Sequence, residues 1–178
     1  MREVTAMDLK VHDAIIHLAG LSNDPMGELN PSLTDNINFK ATRNLATLAK
    51  MNGITRFIFS SSCSIYGKSD SASITEVEQL EPLTAYAKSK RDCEVMLSAM
   101  EGEKFAPTFL RNSTAYGVSP LLRLDLVVNN LVAWAVTTGK ISMMSDGTPW
   151  RPLVHIEDIA RAMVMALEAP REKIHNEA

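Results

Sequence analysis

The chain has 178 residues, a formal net charge of −3 and a pI near 5.8, with 46% apolar and 22% charged residues. That size and balance suit one soluble globular domain with its own core, and residues 1–178 are read as a single domain. The mild acidity argues against a nucleic-acid surface, which would be basic. The longest apolar run, Leu126–Val136, is short and broken by two asparagines, so it does not span a bilayer. The opening MREVTAMDLK lacks the apolar centre of a signal peptide, and a cytoplasmic location is the expectation.

In chain order, AIIHLAG (Ala14–Gly20) is short, apolar and β-branched, and predicts a buried strand ending at glycine. Asn30-Pro31-Ser32 opens a helix that reaches Asn52-Gly53, with Leu33, Ile37, Leu45, Leu48 and Ala49 at helical spacing and Gly53 as its stop. Ile54–Ser60 predicts a central strand. Residues 61–82 turn polar and predict a surface loop. A helix follows over Thr84–Met100, with Tyr86, Cys93, Val95, Met96 and Leu97 available for packing. Phe105–Arg111 predicts a third parallel strand, with Pro107 near its start. Leu121–Thr138 predicts an apolar helix stopped by Gly139. A short strand at Ile141–Met144, the turn DGTP, an extended piece at Pro152–His155 and a helix at Glu157–Glu168 complete the chain. Alternating strands and helices imply an α/β fold with a parallel sheet and helices on both faces. Ligands of such sheets bind beyond the carboxyl ends of the strands, just after Leu18, Ser60 and Arg111.

The two cysteines, Cys63 and Cys93, have no metal-ligand spacing and read as buried or half-buried free thiols. The four histidines (His12, His17, His155 and His175) form no H-x-x-x-H pair, and no metal site is expected.

Tyr86-Ala-Lys-Ser-Lys90 places a phenol and an ammonium four residues apart on one helix face. A phenol titrates near pH 10, too high for a base at neutral pH, and a lysine beside it favours the phenolate. That is tuning for proton transfer at a hydroxyl or carbonyl. Y-x-x-x-K recurs by chance, but here FIFSSSCSIYG (Phe57–Gly67) precedes it and delivers serine hydroxyls to the edge of the sheet. The plain alternative is a strand followed by an ordinary serine-rich loop.

These segments resemble the extended short-chain dehydrogenase/reductases, the group that includes NAD-dependent nucleotide-sugar epimerases and dehydratases. The matching segments are HLAG (His17–Gly20), NFKATRNL (Asn38–Leu45), FSSSCSIYG (Phe59–Gly67), YAKSK (Tyr86–Lys90), LRNSTAYG (Leu110–Gly117) and DGTPWRPLVHIEDIARA (Asp146–Ala162). The resemblance implies a truncated Rossmann-like parallel sheet and an NAD(H) or NADP(H) cofactor. It implies Ser62 as the catalytic hydroxyl, Tyr86 as the general acid/base, Lys90 as the group that lowers its pKa and binds the nicotinamide ribose, and Asn38 as a supporting residue of the site. Leu18, Ala19, Gly20 and Ser60, together with Tyr86 and Lys90, would bind the cofactor. Ser62, Thr114 and Arg151 would meet the substrate, with a surface salt bridge as the alternative for Arg151. Asp158 is expected to cap or anchor the last helix.

The implied reaction is hydride transfer at a carbinol or carbonyl carbon of a sugar or small carbonyl compound, with nucleotide-sugar epimerisation as an alternative. Dehydration is not expected, because Cys63 and Ser64 stand where dehydratases of the group carry an acidic pair. Thr114 replaces the usual asparagine near the substrate phosphates. The chain lacks the G-x-x-G-x-x-G turn with which the family opens, and the likeness stops at HNEA before the C-terminal substrate-binding part. A shortened sheet would leave an exposed edge and favour a homo-oligomer. A catalytically inactive binding or oligomerisation module therefore remains the competing reading.

Overall fold

The computed structural model describes residues 3–68, 73–143, 145–148, 150–174 and 176–178. The backbone divides into two compact units, Met1–Arg111 with Met163–Ala178, and Asn112–Ala162. Among the described residues no helix is long and apolar enough to cross a membrane.

In the first unit the elements are α1 (Ala6–Leu9), β1 (Ala14–His17), α2 (Asp24–Leu29), α3 (Pro31–Thr34), a π-helical turn (Asp35–Lys40), α4 (Ala41–Met51), β2 (Arg56–Ser62), a 3-10 turn (Cys63–Tyr66), α5 (Ala85–Ala99) and β3 (Ala106–Asn112). The sheet order is β1-β2-β3, and β1 pairs parallel with β2 in the register Ile15 to Phe57 and His17 to Phe59. Phe57, Phe59, Phe105 and Phe109 pack with Leu45, Ala46, Ala49, Cys93 and Leu97, so α4 and α5 supply the cover of one core. The fold is α/β with parallel sheets flanked by helices, as the alternation of patterns implies.

Several boundaries differ from expectation. The strand expected over Ala14–Gly20 stops at His17, leaving Leu18, Ala19 and Gly20 as an exposed segment beyond the sheet. β2 runs two residues further than expected, so Ser61 and Ser62 are strand rather than loop. The helix expected from Asn30 to Asn52 is three pieces. Asn30 caps its start by accepting from the Leu33 N–H at 3.0 Å, and the turn at Asp35–Lys40 widens to a π turn, with the Ala41 N–H donating to Asn36 O. A π turn is one extra residue inside a helical period, so apolar spacing does not reveal it. Leu33 and Val95, expected to pack, are exposed. Pro107 is tolerated because β3 is an edge of the three-stranded sheet. The C-terminal segment lies along that edge: Asn176 N donates to Pro107 O at 2.6 Å, Phe109 N to Glu177 O at 2.9 Å, and Thr108 Oγ1 to Ile174 O at 2.8 Å.

The second unit holds β4 (Thr114–Tyr116) and β5 (Leu153–His155), paired parallel, with α6 (Val127–Thr138) between them in sequence. α6 starts six residues later than expected and has no buried residue, but it does end at Gly139, whose φ of 70° is left-handed. Residues Ile141, Ser142 and Met143 are not strand, contrary to expectation, and Met144 lies outside the described residues. In the DGTP turn Asp146 Oδ1 accepts from the Thr148 N–H and hydroxyl, while Pro149 lies outside the described residues, as does His175. α7 (Ile156–Glu168) starts in this unit and ends in the first, where Arg56 Nη1 donates to the carbonyls of Ala166 and Leu167 at 3.2 and 2.7 Å.

Candidate functional site

The carboxyl ends of β1 and β2, together with the N-terminal half of α5, bring most of the expected residues to one place. His17, the last residue of β1, is buried between the rings of Phe57 and Phe59. Its Nε2 lies 2.7 Å from Thr42 Oγ1, and the Thr42 hydroxyl donates to Asn38 O. A hydroxyl has one proton, so Nε2 is the nitrogen of His17 that carries hydrogen. Burial, and then the nearby Lys90 charge, push the imidazole down to about 4, and His17 is neutral at physiological pH.

Asn38, buried in the π turn, accepts from Leu21 N at 2.7 Å and donates to Leu21 O at 3.0 Å. Its amide also donates to Ser89 Oγ at 3.0 Å, and that hydroxyl donates to Tyr86 O at 2.7 Å. One asparagine thus links the segment following β1 to the first turn of α5. Gly20 leaves close room beside it: a Cβ there would stand 3.1 Å from Asn38 Oδ1, so the asparagine would have to shift by a few tenths of an ångström, and 4.0 Å from Lys90 Nζ.

α5 is started by two side chains. Thr84 Oγ1 accepts from Ala87 N at 3.1 Å, and Glu28 Oε1 from Ala85 N at 2.6 Å. This fixes Tyr86, half-buried in the first turn, and Lys90 one turn on. Lys90 is only 5% exposed. Its ammonium donates to Ser60 O at 2.6 Å and stands 4.6 Å from the centre of the Phe59 ring and 5.8 Å from that of Tyr86. Burial lowers its pKa to about 8, against the opposing pull of Cys93 and Glu94.

Ser62 ends β2 and caps the 3-10 turn against which α5 packs. Its Oγ accepts from Ser64 N at 3.2 Å and from Ser64 Oγ at 2.9 Å. With two donors already on that oxygen, its own proton is directed to a further acceptor. Between Ser60 and Ser62, Ser61 Oγ is buried and has no hydrogen-bond partner among the described residues. Both thiols are free, Cys93 buried and Cys63 half-buried, and burial raises both above the usual thiol range, Cys93 to about 12.

Residues that spacing did not single out tie this arrangement together. Arg111 donates from Nη2 to Glu94 Oε2 at 2.8 Å and from Nε to both Glu94 oxygens at 3.2 Å. Its Nη1 donates to Tyr66 Oη at 2.8 Å and Glu76 O at 2.7 Å, with the guanidinium carbon 5.3 Å from the Tyr66 ring centre. Burial disfavours the Arg111 charge, but the bonds to Glu94 and Tyr66 outweigh it and hold its pKa above the ordinary value. Thr42, Tyr66 and Arg111 all sit inside the matched segments NFKATRNL, SIYG and LRNSTAYG. Membership of those segments was the available signal. Ser64 and Ser89 also lie inside matched segments, FSSSCSIYG and YAKSK, whereas Glu28 and Glu94 had no such signal.

Thr114 and Arg151 belong to the second unit. Thr114 is half-buried and its N–H donates to Pro152 O at 3.1 Å, while Arg151 is exposed. Asp158 lies within the first turn of α7 rather than at its cap. His155 Nδ1 takes the capping place, accepting from Glu157 N at 3.3 Å.

Comparison with known proteins decides the family. The description "NAD dependent epimerase/dehydratase family" matches residues 4–178. The chain belongs to that family. A UDP-glucuronate 4-epimerase of Thermodesulfobacterium geofontis (strain OPF15) is 29% identical over 157 residues, covering 87% of this chain and 48% of that protein. Among solved structures, an NAD-dependent NDP-hexosamine 5,6-dehydratase of tunicamycin biosynthesis superposes with a TM-score of 0.86 at 25% identity, covering 99% of this chain and 57% of the other. UDP-glucuronic acid 4-epimerase from Bacillus cereus, solved with UDP-glucuronic acid and NAD, gives 0.83 at 26% identity, with 97% and 54% covered. The epimerase/dehydratase chain described here thus spans about half the length of the relatives it matches.

Proposed function

We propose that this chain carries the proton-transfer centre of an NAD(H)-dependent oxidoreductase acting on a hydroxyl or carbonyl carbon of a sugar nucleotide, with Ser62, Tyr86 and Lys90 as its reacting side chains. The observation that carries the proposal is the buried Lys90 ammonium, one helical turn from Tyr86 and held at 2.6 Å on Ser60 O. A positive charge fixed beside a phenol stabilises the phenolate and lets it take or return a proton near neutral pH. Ser62, whose oxygen already accepts from Ser64, donates to the substrate oxygen and holds it for Tyr86. Asn38 orders the segment after β1 and, through Ser89, the turn that carries Tyr86.

The residues fit a dinucleotide at this place. Leu18, Ala19 and Gly20 offer exposed backbone beyond β1, the absence of a side chain at Gly20 keeps the approach to Asn38 and Lys90 open, and Ser61 has a buried polar atom still to be satisfied. Leu18, Ala19, Gly20, Ser60 and Lys90 would hold the cofactor, which when bound supplies hydride acceptance and return. The solved epimerase relative contains NAD, which favours NAD(H) over NADP(H). Thr114 and Arg151 are proposed for the substrate. A reaction that returns hydride to the opposite face of a keto-sugar is favoured over water elimination, because Cys63 and Ser64 offer no carboxyl group beside Ser62. Self-association is supported by the free edge of β1, which among the described residues pairs only with β2 and has Ile16 exposed, with Leu18 exposed just beyond it.

Titration calorimetry with NADH and NADPH, followed by turnover assays on UDP-glucose and UDP-glucuronic acid, tests the proposal. Tyr86→Phe is expected to reduce turnover by about 10²-fold or more with dinucleotide affinity within about twofold of the parent. Absence of dinucleotide binding by the parent chain at millimolar concentration overturns the enzyme reading in favour of a binding or oligomerisation module. Retained turnover in Tyr86→Phe overturns the role of the phenol.

A further inference from the structure

The Ser62 hydroxyl and the Tyr86–Lys90 pair sit on different elements, a 3-10 turn and a helix, and the question is what holds one against the other. Tyr66 closes the turn that Ser62 opens, and Glu94 lies one helical turn beyond Lys90 on the buried face of α5. Arg111 grips both. Its planar guanidinium spends Nε and Nη2 on the Glu94 carboxylate and Nη1 on Tyr66 Oη and the Glu76 carbonyl. Because five N–H groups lie in one rigid plane, the bond to Glu94 sets where Tyr66 must be. The Arg111 and Glu94 side chains are 13% and 6% exposed, and a pair so buried contributes more to geometry than to net stability.

We propose that Arg111 is a positioning residue: it fixes the Ser62 turn against the Tyr86–Lys90 helix through Tyr66 on one side and Glu94 on the other. The proposal rests on the functional reading above only for its consequence in turnover; the coupling itself is a property of the fold. Arg111 touches none of the groups proposed to react. A lysine at this position would keep the ion pair with Glu94 but could not hold Tyr66 in the same plane.

Cys63, in the same turn and half-buried, reports its order, while Cys93, fully buried on α5, reports global unfolding. The experiment measures the rate of labelling of each thiol by a disulfide reagent in the full chain, with peptide mapping to separate them. Arg111→Met, Arg111→Lys and Tyr66→Phe are compared with the parent. Tyr66→Phe removes only the accepting oxygen and guards against loss of fold in the arginine variants. Cys63 labelling is expected to rise about tenfold in all three while Cys93 stays protected. In an active parent, Tyr66→Phe should lower kcat about tenfold and leave the NADH dissociation constant unchanged. Cys63 labelling at the parent rate in Tyr66→Phe and Arg111→Lys, or an unchanged kcat despite faster labelling, overturns the proposal. A parent chain that binds no dinucleotide overturns the functional reading instead, and the labelling rates still decide whether Arg111 couples turn to helix.

Discussion

A histidine wedged between Phe57 and Phe59 cannot take up a proton without losing hydration that nothing nearby restores, and the Lys90 charge adds to the cost. The unfolded chain protonates this imidazole near 6.5, the folded chain only near 4. Between those values the unfolded state binds more protons, so stability falls as pH drops through that window and levels off below it. The loss at the acid end is about 3 kcal/mol for this one group. His17→Gln keeps a donor for Thr42 without a titrating ring. Its urea midpoint should fall less between pH 7 and pH 4.5 than that of the parent, and equal losses in both proteins would refute the assignment. Lys90 works in the other range. Its folded pKa of about 8 lies below the 10.5 of the free side chain, so between pH 8 and 10.5 the unfolded chain holds the extra proton and stability rises with pH. On the proposed mechanism the Lys90 ammonium supports the Tyr86 phenolate, and in the folded chain it is half lost at about pH 8. Turnover should therefore decline above about pH 8 while, between pH 8 and 9, Lys90 makes the folded state harder to melt. Above pH 9 the Cys93 thiol, kept protonated in the fold to about 12, offsets that gain, a course followed by running both measurements on one pH series.

At the scale of elements, the first turn of α5 shows how local chemistry places Tyr86, the side chain proposed to transfer the proton. Thr84 satisfies the Ala87 N–H, and a Thr84→Ala variant is expected to lose about 1 kcal/mol of stability in urea melts, with Tyr86 the nearest residue to feel the fraying. Thr84 was expected inside the helix rather than as its cap, but the apolar strand patterns and the Tyr86–Lys90 spacing were legible because each is a signal within a few residues. The bonds that assemble the site were not. Thr42 meets His17 across 25 residues, Arg111 meets Tyr66 across 45, and Asn38 meets Ser89 across 51. No periodicity encodes such pairs, and only the matched family segments placed Thr42, Tyr66 and Arg111 under attention. The π turn stayed hidden for another reason. Its apolar face keeps a helical appearance although Asn38 is rotated to meet Leu21. The strand expected at Ile141–Met144 failed because four apolar or small residues are too few to separate strand from loop when no partner strand is known.

For the whole molecule, the decisive fact is that about half of the length of its relatives is represented, with a three-stranded sheet in the first unit and a separate two-stranded sheet in the second among the described residues. The edge of β3 is closed by the chain's own last residues, and Arg171 reinforces that closure by donating to the carbonyls of Gly102 and Glu103. Ending the chain after Lys173 removes three hydrogen bonds to β3 and should cost roughly 2–3 kcal/mol. It also bares a strand edge, so light scattering on storage should rise along with the fall in urea midpoint. An unchanged melt would mean that the terminal segment contributes nothing to the sheet.

The junction at Gly67 bears on how this sequence can diverge. Its φ is 69°, and a Cβ there would fall 2.0 Å from the carbonyl oxygen of Glu81, so the chain leaves and re-enters the body of the fold at nearly one point. Among the described residues between them, Glu76 meets Arg111 through its main-chain oxygen, which every amino acid possesses. A substitution at Glu76 therefore leaves that bond in place, whereas a side chain at Gly67 would run into the Glu81 carbonyl. Tolerance to substitution should therefore differ sharply between the two positions, and libraries that randomise position 76 should keep a far larger folded fraction than libraries that randomise position 67.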